Sequence, residues 1–528
     1  MTWLLLIALP LAGAALLWFP HFGPRLGSQL GSRLGVRLDL ALTAQLDVRI
    51  VSHAPALLII TSAVTSAVAV FQAFTVSASH ASPLVAGYIR GDAMAKLLAP
   101  VINVIFVGIS VYVRGRAAAS PERAAVMRRF AALALVFLAA CNLALLGNHL
   151  LLTWLALEAS TLAAALLIVR PEAVDMEPLR AASSATSTPV VTAVASRLAS
   201  WRYLLFSSVG LGLALLGMVC LTRSMAQDGL EPTLFLDQLP AALAGPANAW
   251  RQLGVALLLL GIGTKLGLAP MYSWLPEAYD EAPSEVTAML GAVQFNCALV
   301  FLFHVVQVFR AGSGELITGE LLTIGLASVA VSTVSIVATR NFKRLLAYAS
   351  INHAGVIAIG LGLGKPAGFG LLLYVLSNAF IKAILFLTAG KIEQHYGTKD
   401  TKAISGLIKD LPYSGMFLMV GTFGLLGFPP FGSFLGELLI LSALVTSGQM
   451  FVFAAFCMLI TMTFVATGRT IFPMIWGEPR QERTWPAQSA GSAMHKLIFL
   501  IALLVLGIYI PPQLGDLMTS VAGLLEGP

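Results

Sequence analysis

Apolar runs of about twenty residues recur along the whole chain, the length a helix needs to cross the hydrocarbon core of a bilayer. They fall near 1–20, 55–75, 95–113, 127–147, 149–169, 201–222, 250–275, 286–309, 317–338, 344–363, 367–390, 411–428, 432–472 and 495–513, and the 432–472 stretch is long enough for two. Backbone amides find no water at that depth, so only helices and closed barrels can span it. The runs are continuous rather than alternating, which predicts helices. Charged residues make up 11% of the chain, less than half of what a soluble domain carries. The expected fold class is an all-α polytopic membrane protein. Its spans number fourteen if the interruption at residues 427–433 lies within one span, and fifteen if the chain crosses twice there. Met1 to Pro20 has no basic start and reads as the first span rather than a cleaved signal.

Positive charge gives the orientation. With the N-terminus outside, Arg90, Lys96, Arg223, Arg251, Arg310 and Lys365 fall on the outer side, and Lys265 and Lys382 lie inside spans. The rest of the 32 Lys and Arg then face the cytoplasm, the bias that short inner loops carry. The net charge of +7 is thereby explained without nucleic acid as a partner. Residues 171–200, rich in Ala, Ser, Thr and Pro, and residues 476–494, with Pro479, Arg480, Gln481, Glu482 and Arg483, read as polar inner loops. Residues 21–54 are weakly amphipathic and take no assignment. Cys141, Cys220, Cys297 and Cys457 sit in apolar runs without a CxxC pair and read as small buried residues. Phosphate-binding glycine loops and haem or iron–sulfur spacings do not occur either. No cofactor, metal site or catalytic centre is expected, and the chain holds no source of chemical energy of its own.

Four charges lie deep in spans: Glu158, Lys265, Lys382 and Glu437. Lys265 stands in Leu260-Gly261-Ile262-Gly263-Thr264-Lys265-Leu266-Gly267-Leu268-Ala269-Pro270, with no other charge between Arg251 and Glu277. A charge at that depth costs several kcal/mol, and such residues mark ion or proton routes. Each alone has a structural reading. Glu158 could bond neighbouring hydroxyls, Lys382 could snorkel to the inner face, and Glu437 could support the chain break before it. Two acids and two bases together are the parts of a proton relay, because opposite charges keep one another ionised or share a proton. Imidazole changes charge near neutral pH, so His304 and His353 are expected as relay steps between the lysines.

Two segments are broken by proline: Lys265 to Pro276, with Pro270 and Pro276, and Gly427 to Ser433, with Pro429 and Pro430. Corresponding interruptions in two halves point to inverted repeats with a site near the midplane. Taking 127–310 and 317–472 as blocks of five spans, the odd number makes them inverted. Lys265 and Glu437 then fall in equivalent fourth helices and are counterparts of opposite charge. Residues 1–126 and 473–528 flank the two blocks.

The run from Gly263 to Ser284, with Lys265 and Trp274-Leu275-Pro276-Glu277, resembles the signature of the antiporter-like membrane subunits. These occur in respiratory complex I, in Mrp-type cation/proton antiporters and in membrane-bound hydrogenases of the hydrogenase-4 and formate hydrogenlyase type. Trp154 to Glu158, Arg344 to Gly355, Asn378 to Lys382 and Gly432 to Leu439 match in order, and the likeness covers roughly residues 95–475. The resemblance implies about fourteen transmembrane helices, two inverted five-helix repeats, and broken helices 7 and 12. It implies that Glu158 is the helix-5 glutamate, Lys265 the helix-7 lysine that pairs with it, Lys382 a helix-11 lysine and Glu437 the helix-12 charge. Asn296 and Asn378 depart from the lysine and histidine of many members, and Glu277 and Tyr279 from the usual Asp and His. Glu437 and the modest length are most similar to the hydrogenase-4 component F type.

What the resemblance implies is a proton-translocating subunit of a multi-subunit, redox-driven complex of the hydrogenase-4 or NADH:quinone oxidoreductase type, in a bacterial inner membrane. Its partners would be other membrane subunits, a soluble redox subunit and the lipid bilayer. Two alternatives share the fold. One is the membrane subunit of a two-component inorganic-carbon uptake system with a zinc-bearing soluble partner. The other is an Mrp-type Na+/H+ antiporter subunit. A membrane-embedded hydrolase finds no nucleophile–base constellation to support it.

Overall fold

The computed structural model describes residues 2–18, 40–75, 85, 87–115, 121–169, 188–243, 247–478 and 493–526. Helix dominates, and the described residues hold only isolated bridges in place of strands. In chain order the main helices are α1 (Leu5–Trp18), α2 (Leu40–Thr75), α3 (Ala93–Arg114), α4 (Pro121–Leu146), α5 (Leu150–Ile168) and α6 (Thr188–Gln227). There follow α7 (Ala249–Leu266), α8 (Trp274–Glu281), α9 (Ser284–Ala338), α10 (Phe342–Leu363) and α11 (Lys365–Tyr396). The last are α12 (Pro412–Leu425), α13 (Gly432–Thr446), α14 (Met450–Trp476), α15 (Met494–Ile508) and α16 (Pro512–Gly523).

Among the described residues, nine helices are long and apolar enough to cross a membrane, or ten if the pair around Pro511, bent by 73°, is one span. The protein is therefore an all-α polytopic membrane protein, as its runs predict. Three features separate this number from the fourteen expected. α9 joins two runs through a kink at Ser313, whose backbone leaves the helical region. In the broken segments α8, α12 and α13 are too short to span alone, and α7, long enough, is made less apolar by Arg251 and Lys265. α1 is also short. The polar loop expected at 171–200 lies outside the described residues as far as 187. From Thr188 the chain is already helical, because Pro189 falls in the first turn, where no amide bond is lost, and an alanine-rich stretch follows. Most of the loop expected at 476–494 and residues 21–39 of the unassigned 21–54 segment also lie outside the described residues.

α11 is the central post. Its whole most apolar window is buried in the protein, whereas α14 buries only 22% of its own. The outward faces are apolar, with Leu155, Leu166, Trp201, Val334, Phe451 and Ile508 exposed, as lipid as solvent requires. Small residues bring backbones together where helices cross. A Cβ on Gly261 of α7 would lie 2.6 Å from the Gly210 carbonyl oxygen of α6. One on Gly355 of α10 would lie 2.6 Å from that of Gly325 in α9.

Basic loops on one side of the bundle also act as a clamp. Asp280, at the end of α8, accepts from Arg344 Nε at 2.7 Å and from Asn341 Nδ2 at 3.0 Å. Its other oxygen lies 2.8 Å from Lys399 Nζ. Lys343, fully buried, donates to the Ala282 carbonyl at 3.0 Å and to Glu393 at 3.1 Å. α8 is thereby tied to the start of α10 and the end of α11.

Two outcomes follow. Gly261→Val should destabilise the purified protein by about 1–3 kcal/mol through overpacking, read as a lower melting temperature in detergent. Gly212→Val, with nothing within 4 Å of its Cβ, should leave it unchanged. Asp280→Ala should cost about 1–3 kcal/mol, because the hydrogen bonds from Arg344, Asn341 and Lys399 are lost while both cations can still reach water, and the same melt would show it.

Candidate proton pathway

α7 ends one residue after Lys265. Gly267 adopts φ +76°, a left-handed cap that suits glycine, and residues 268–273 run outside any helix before α8 begins. Freed backbone groups at such a break need partners. Trp274 Nε1 donates to the Thr264 carbonyl at 3.0 Å, Leu268 N to the Gly263 carbonyl at 2.9 Å, and Ala269 N to Ser328 Oγ at 2.8 Å. The second break repeats the first. Gly427 has φ +65°, Ser433 Oγ donates to the Gly424 carbonyl at 2.7 Å, and Phe428 N to the Phe423 carbonyl at 3.0 Å. Pro270, Pro429 and Pro430 lie within the breaks. Pro276 does not. It occupies the first turn of α8, where proline fits without disturbing the helix.

The buried Lys265 ammonium sits in a cage of hydroxyls. It donates to Thr161 Oγ1 of α5 at 2.6 Å, and to the Tyr203 hydroxyl and Ser207 Oγ of α6 at 2.8 and 3.4 Å. Its nitrogen is also 4.5 Å from the Tyr203 ring centre. Three N–H donors thus meet three acceptors. Two of those hydroxyls send their own protons onward. Thr161 donates to the Leu157 carbonyl at 2.8 Å, and Tyr203 to Gln294 Oε1 at 2.8 Å. Gln294 Nε2 in turn donates to Ser160 Oγ at 2.6 Å.

Glu158 does not pair directly with Lys265. Its Oε1 accepts from Ser208 Oγ at 2.7 Å, and its buried Oε2 has no protein partner. The consecutive Ser207 and Ser208 therefore stand between the two charges, one bonded to each. The helix-5 and helix-7 residues meet through hydroxyls because α5 and α7 both pack on α6.

Gln294 closes a stretch of π-type turns, Met289–Gln294, inside α9. Such wider turns often occur at functional sites. The next residue, Phe295, lies under Lys382 of α11, with Nζ 3.6 Å from the ring centre. Lys382 is buried and no protein group hydrogen-bonds it. One turn earlier on α11, Ser377 Oγ and Asn378 Oδ1 are likewise buried without protein partners. The structure thus links Lys265, through Tyr203, to Gln294 at the end of the π-type segment, and places Lys382 over Phe295, the next residue. Neither Gln294 nor the hydroxyls Thr161, Tyr203 and Ser207 stood out in the sequence. The one available signal was a glutamine in the apolar run Gly291-Ala292-Val293-Gln294.

The histidines are placed differently from expectation. His304 Nε2 lies 2.6 Å from Asp92 Oδ2, and Asp92 caps the N-terminus of α3 by accepting from Ala95 N at 2.8 Å. His304 therefore sits at one end of its span, not between the lysines. Burial would raise the Asp92 carboxyl, but His304 beside it and the Ala95 amide outweigh that and hold it below the usual carboxylate range. His353 Nδ1 is 2.7 Å from the Tyr374 hydroxyl of α11, with the rings stacked.

The breaks also correct the pairing of Lys265 with Glu437. One sequence interval separates Gly267 from Gly427, Pro270 from Pro430 and the capped Thr264 from Gly424. Applied to Lys265 it gives Leu425, and Glu437 is reached from Glu277. Glu277 forms an ion pair with Arg202. Glu437 folds back over its own break, its Oε2 2.8 Å from where a Gly427 side chain would begin. Counted from the first residues of α5 and α10, Thr161 corresponds to His353. One half therefore carries a lysine in hydroxyls where the other carries a histidine against a tyrosine.

A model of the NADH:quinone oxidoreductase/Mrp antiporter transmembrane family matches residues 147–463, which takes in both breaks, Glu158, both lysines and Glu437. The chain is 30% identical over 393 residues to a hydrogenase-4 component F homolog of Methylacidiphilum infernorum, covering 73% of this chain and 77% of that protein. It is 28% identical to NADH-quinone oxidoreductase subunit N 2 of Roseiflexus castenholzii, covering 62% and 67%. In fold it is similar to a chain of an archaeal membrane-bound sulfane sulfur reductase, with a TM-score of 0.80, 22% identity, and coverage of 99% and 98%. On this evidence the chain belongs to the NADH:quinone oxidoreductase/Mrp antiporter transmembrane family.

Proposed function

We propose that this chain is a proton-translocating subunit of a multi-subunit, redox-driven complex of the hydrogenase-4 or NADH:quinone oxidoreductase type. It lies in the bacterial inner membrane with its N-terminus outside, beside other membrane subunits and a soluble redox subunit. The observation that carries this reading is the link from Lys265 through Tyr203 and Gln294 to Phe295 and Lys382.

The two lysines differ in how well they hold a charge. Hydrogen bonds from an ion contribute about 1.5–3 kcal/mol each, so three acceptors at Lys265 offset a desolvation cost of several kcal/mol. A ring face offers Lys382 only about 2 kcal/mol, which leaves its charge dependent on water. Ser377 and Asn378 present the polar atoms that water would bond. A proton is therefore stored at Lys265 and reaches Lys382 through water that bridges the Tyr203–Gln294 contact to Lys382 when that side is hydrated, since the Phe295 ring itself carries no proton. Beyond Lys382, the His353–Tyr374 pair and Glu437 carry it through the second half, and Asp92–His304 forms a polar pair on the outer side of α9, ahead of its kink at Ser313. Glu158 changes the stability of the stored proton through Ser208 and Ser207. A charge on a neighbouring subunit would act on this buried carboxylate through space, and that is where a redox partner would act.

The test uses the intact complex in sealed vesicles, with redox turnover and proton uptake measured together. Lys265→Ala should lower proton uptake by about a hundredfold while the complex still assembles. Tyr203→Phe keeps the ring and removes the hydroxyl, and should lower uptake by a smaller factor. Uptake unchanged in Lys265→Ala would overturn the proposal.

A further inference from the structure

A cavity of 780 Å³ opens at the inner end of the groove between α9 and α14. Three cations line it: Arg340 after α9, Lys402 on the loop that follows α11, and Arg469 on α14. All three are exposed, and none takes part in an ion pair among the described residues. The lining contains no carboxylate. Asp400, the nearest in sequence, accepts from the Lys402 backbone amide and stays outside the cavity. Hydroxyls of Thr401, Ser405 and Thr470 complete the polar end.

The rest of the wall is apolar and faces outward. Val337, Met462 and Val465 line it and are 61%, 45% and 59% exposed. The groove floor is fixed by polar bonds, since Thr333 and Thr463 hydroxyls meet at 2.8 Å and Asn352 Nδ2 reaches Ser332 and Thr463 at 3.2 and 3.3 Å. Along α14 the lining runs from Thr461 to Pro473, a rise of about 18 Å. That is close to half of a hydrocarbon core about 30 Å thick, the depth of one leaflet.

We propose that this groove binds an anionic phospholipid of the inner leaflet. The phosphate lies among Arg340, Lys402 and Arg469, and one acyl chain descends along Val337, Val465 and Met462. Basic pockets between spans on the inner side recognise anionic headgroups by this combination of charge and apolar wall. Charge complementarity selects the lipid: three cations without a counter-ion among the described residues stand at headgroup level directly above an exposed apolar strip. The proposal depends on the membrane placement of α9 and α14 and is independent of proton traffic.

The test uses the intact complex in phosphatidylcholine vesicles that contain a trace of phosphatidylglycerol with a photoactivatable acyl chain. Cross-linked peptides are then mapped. Cross-links should concentrate on α14 near Met462 and Val465. The triple variant Arg340→Gln, Lys402→Gln, Arg469→Gln should weaken capture roughly a hundredfold, at about fivefold per cation. A phosphatidylcholine analogue should label both proteins equally weakly, and inorganic phosphate at millimolar concentration should not displace the lipid. Equal labelling of wild type and variant would overturn the proposal. So would displacement by inorganic phosphate, which would mark an anion site without a lipid. Loss of another subunit from the triple variant would also overturn it, because the groove would then be a subunit contact. A melt of each variant, unchanged at these exposed positions, separates lost binding from lost folding.

Discussion

The hydrogen bonds around the Lys265 ammonium are the constraint on which the rest of the first half depends. A fixed charge at this depth is tolerable only if all three donors are met, and the acceptors come from two different helices, α5 and α6. Each helix is held where it must be by something else. α6 and α7 approach closely because Gly210, Gly217, Gly254 and Gly261 face one another. α7 stops directly after the lysine because Gly267 can turn left-handed there. The π-type turns in α9 then bring Gln294 onto the Tyr203 hydroxyl and Phe295 under Lys382. A regular helix would rotate one of those two contacts away.

The two halves of the molecule share a break and differ in chemistry. Both breaks cap a freed carbonyl with a side chain from the start of the next helix, Trp274 in one case and Ser433 in the other. The residue next to that carbonyl is Lys265 in the first half and Leu425 in the second. The second half instead offers His353 and Tyr374 near its break and keeps Lys382 on α11. On the proposed route protons meet a lysine bonded to three hydroxyls on one side and a lysine that relies on water on the other. Two unlike stations in series, joined at one π-type segment, suit directional transfer better than two identical ones.

The membrane class, the lysines and the two breaks were legible in the sequence, since a charge or a proline in an apolar run violates a strong rule. The contacts that make Lys265 work were not. Thr161, Tyr203 and Ser207 are ordinary residues of transmembrane helices, and their convergence depends on helix packing. A π-type turn leaves no trace in a uniformly apolar stretch such as Met289 to Gln294, where every face is buried and periodicity carries no signal. The pairing of His304 with Asp92 joins residues far apart in sequence. Reading His304 as a central step failed because position along a span cannot be told from composition. Lys265 and Glu437 were matched by charge and helix number alone, and the geometry of the breaks sets the register differently.

The connection between the lysines through Gln294 is the central claim, and Gln294→Leu tests it most directly. That change preserves the volume near Phe295 and removes both hydrogen bonds that Gln294 makes, to Tyr203 and to Ser160. The measurement is the number of protons translocated per electron pair by the intact complex in sealed vesicles. The account predicts that this ratio falls while the complex assembles and Lys265 stays in place. A ratio equal to that of the unmodified complex would contradict it.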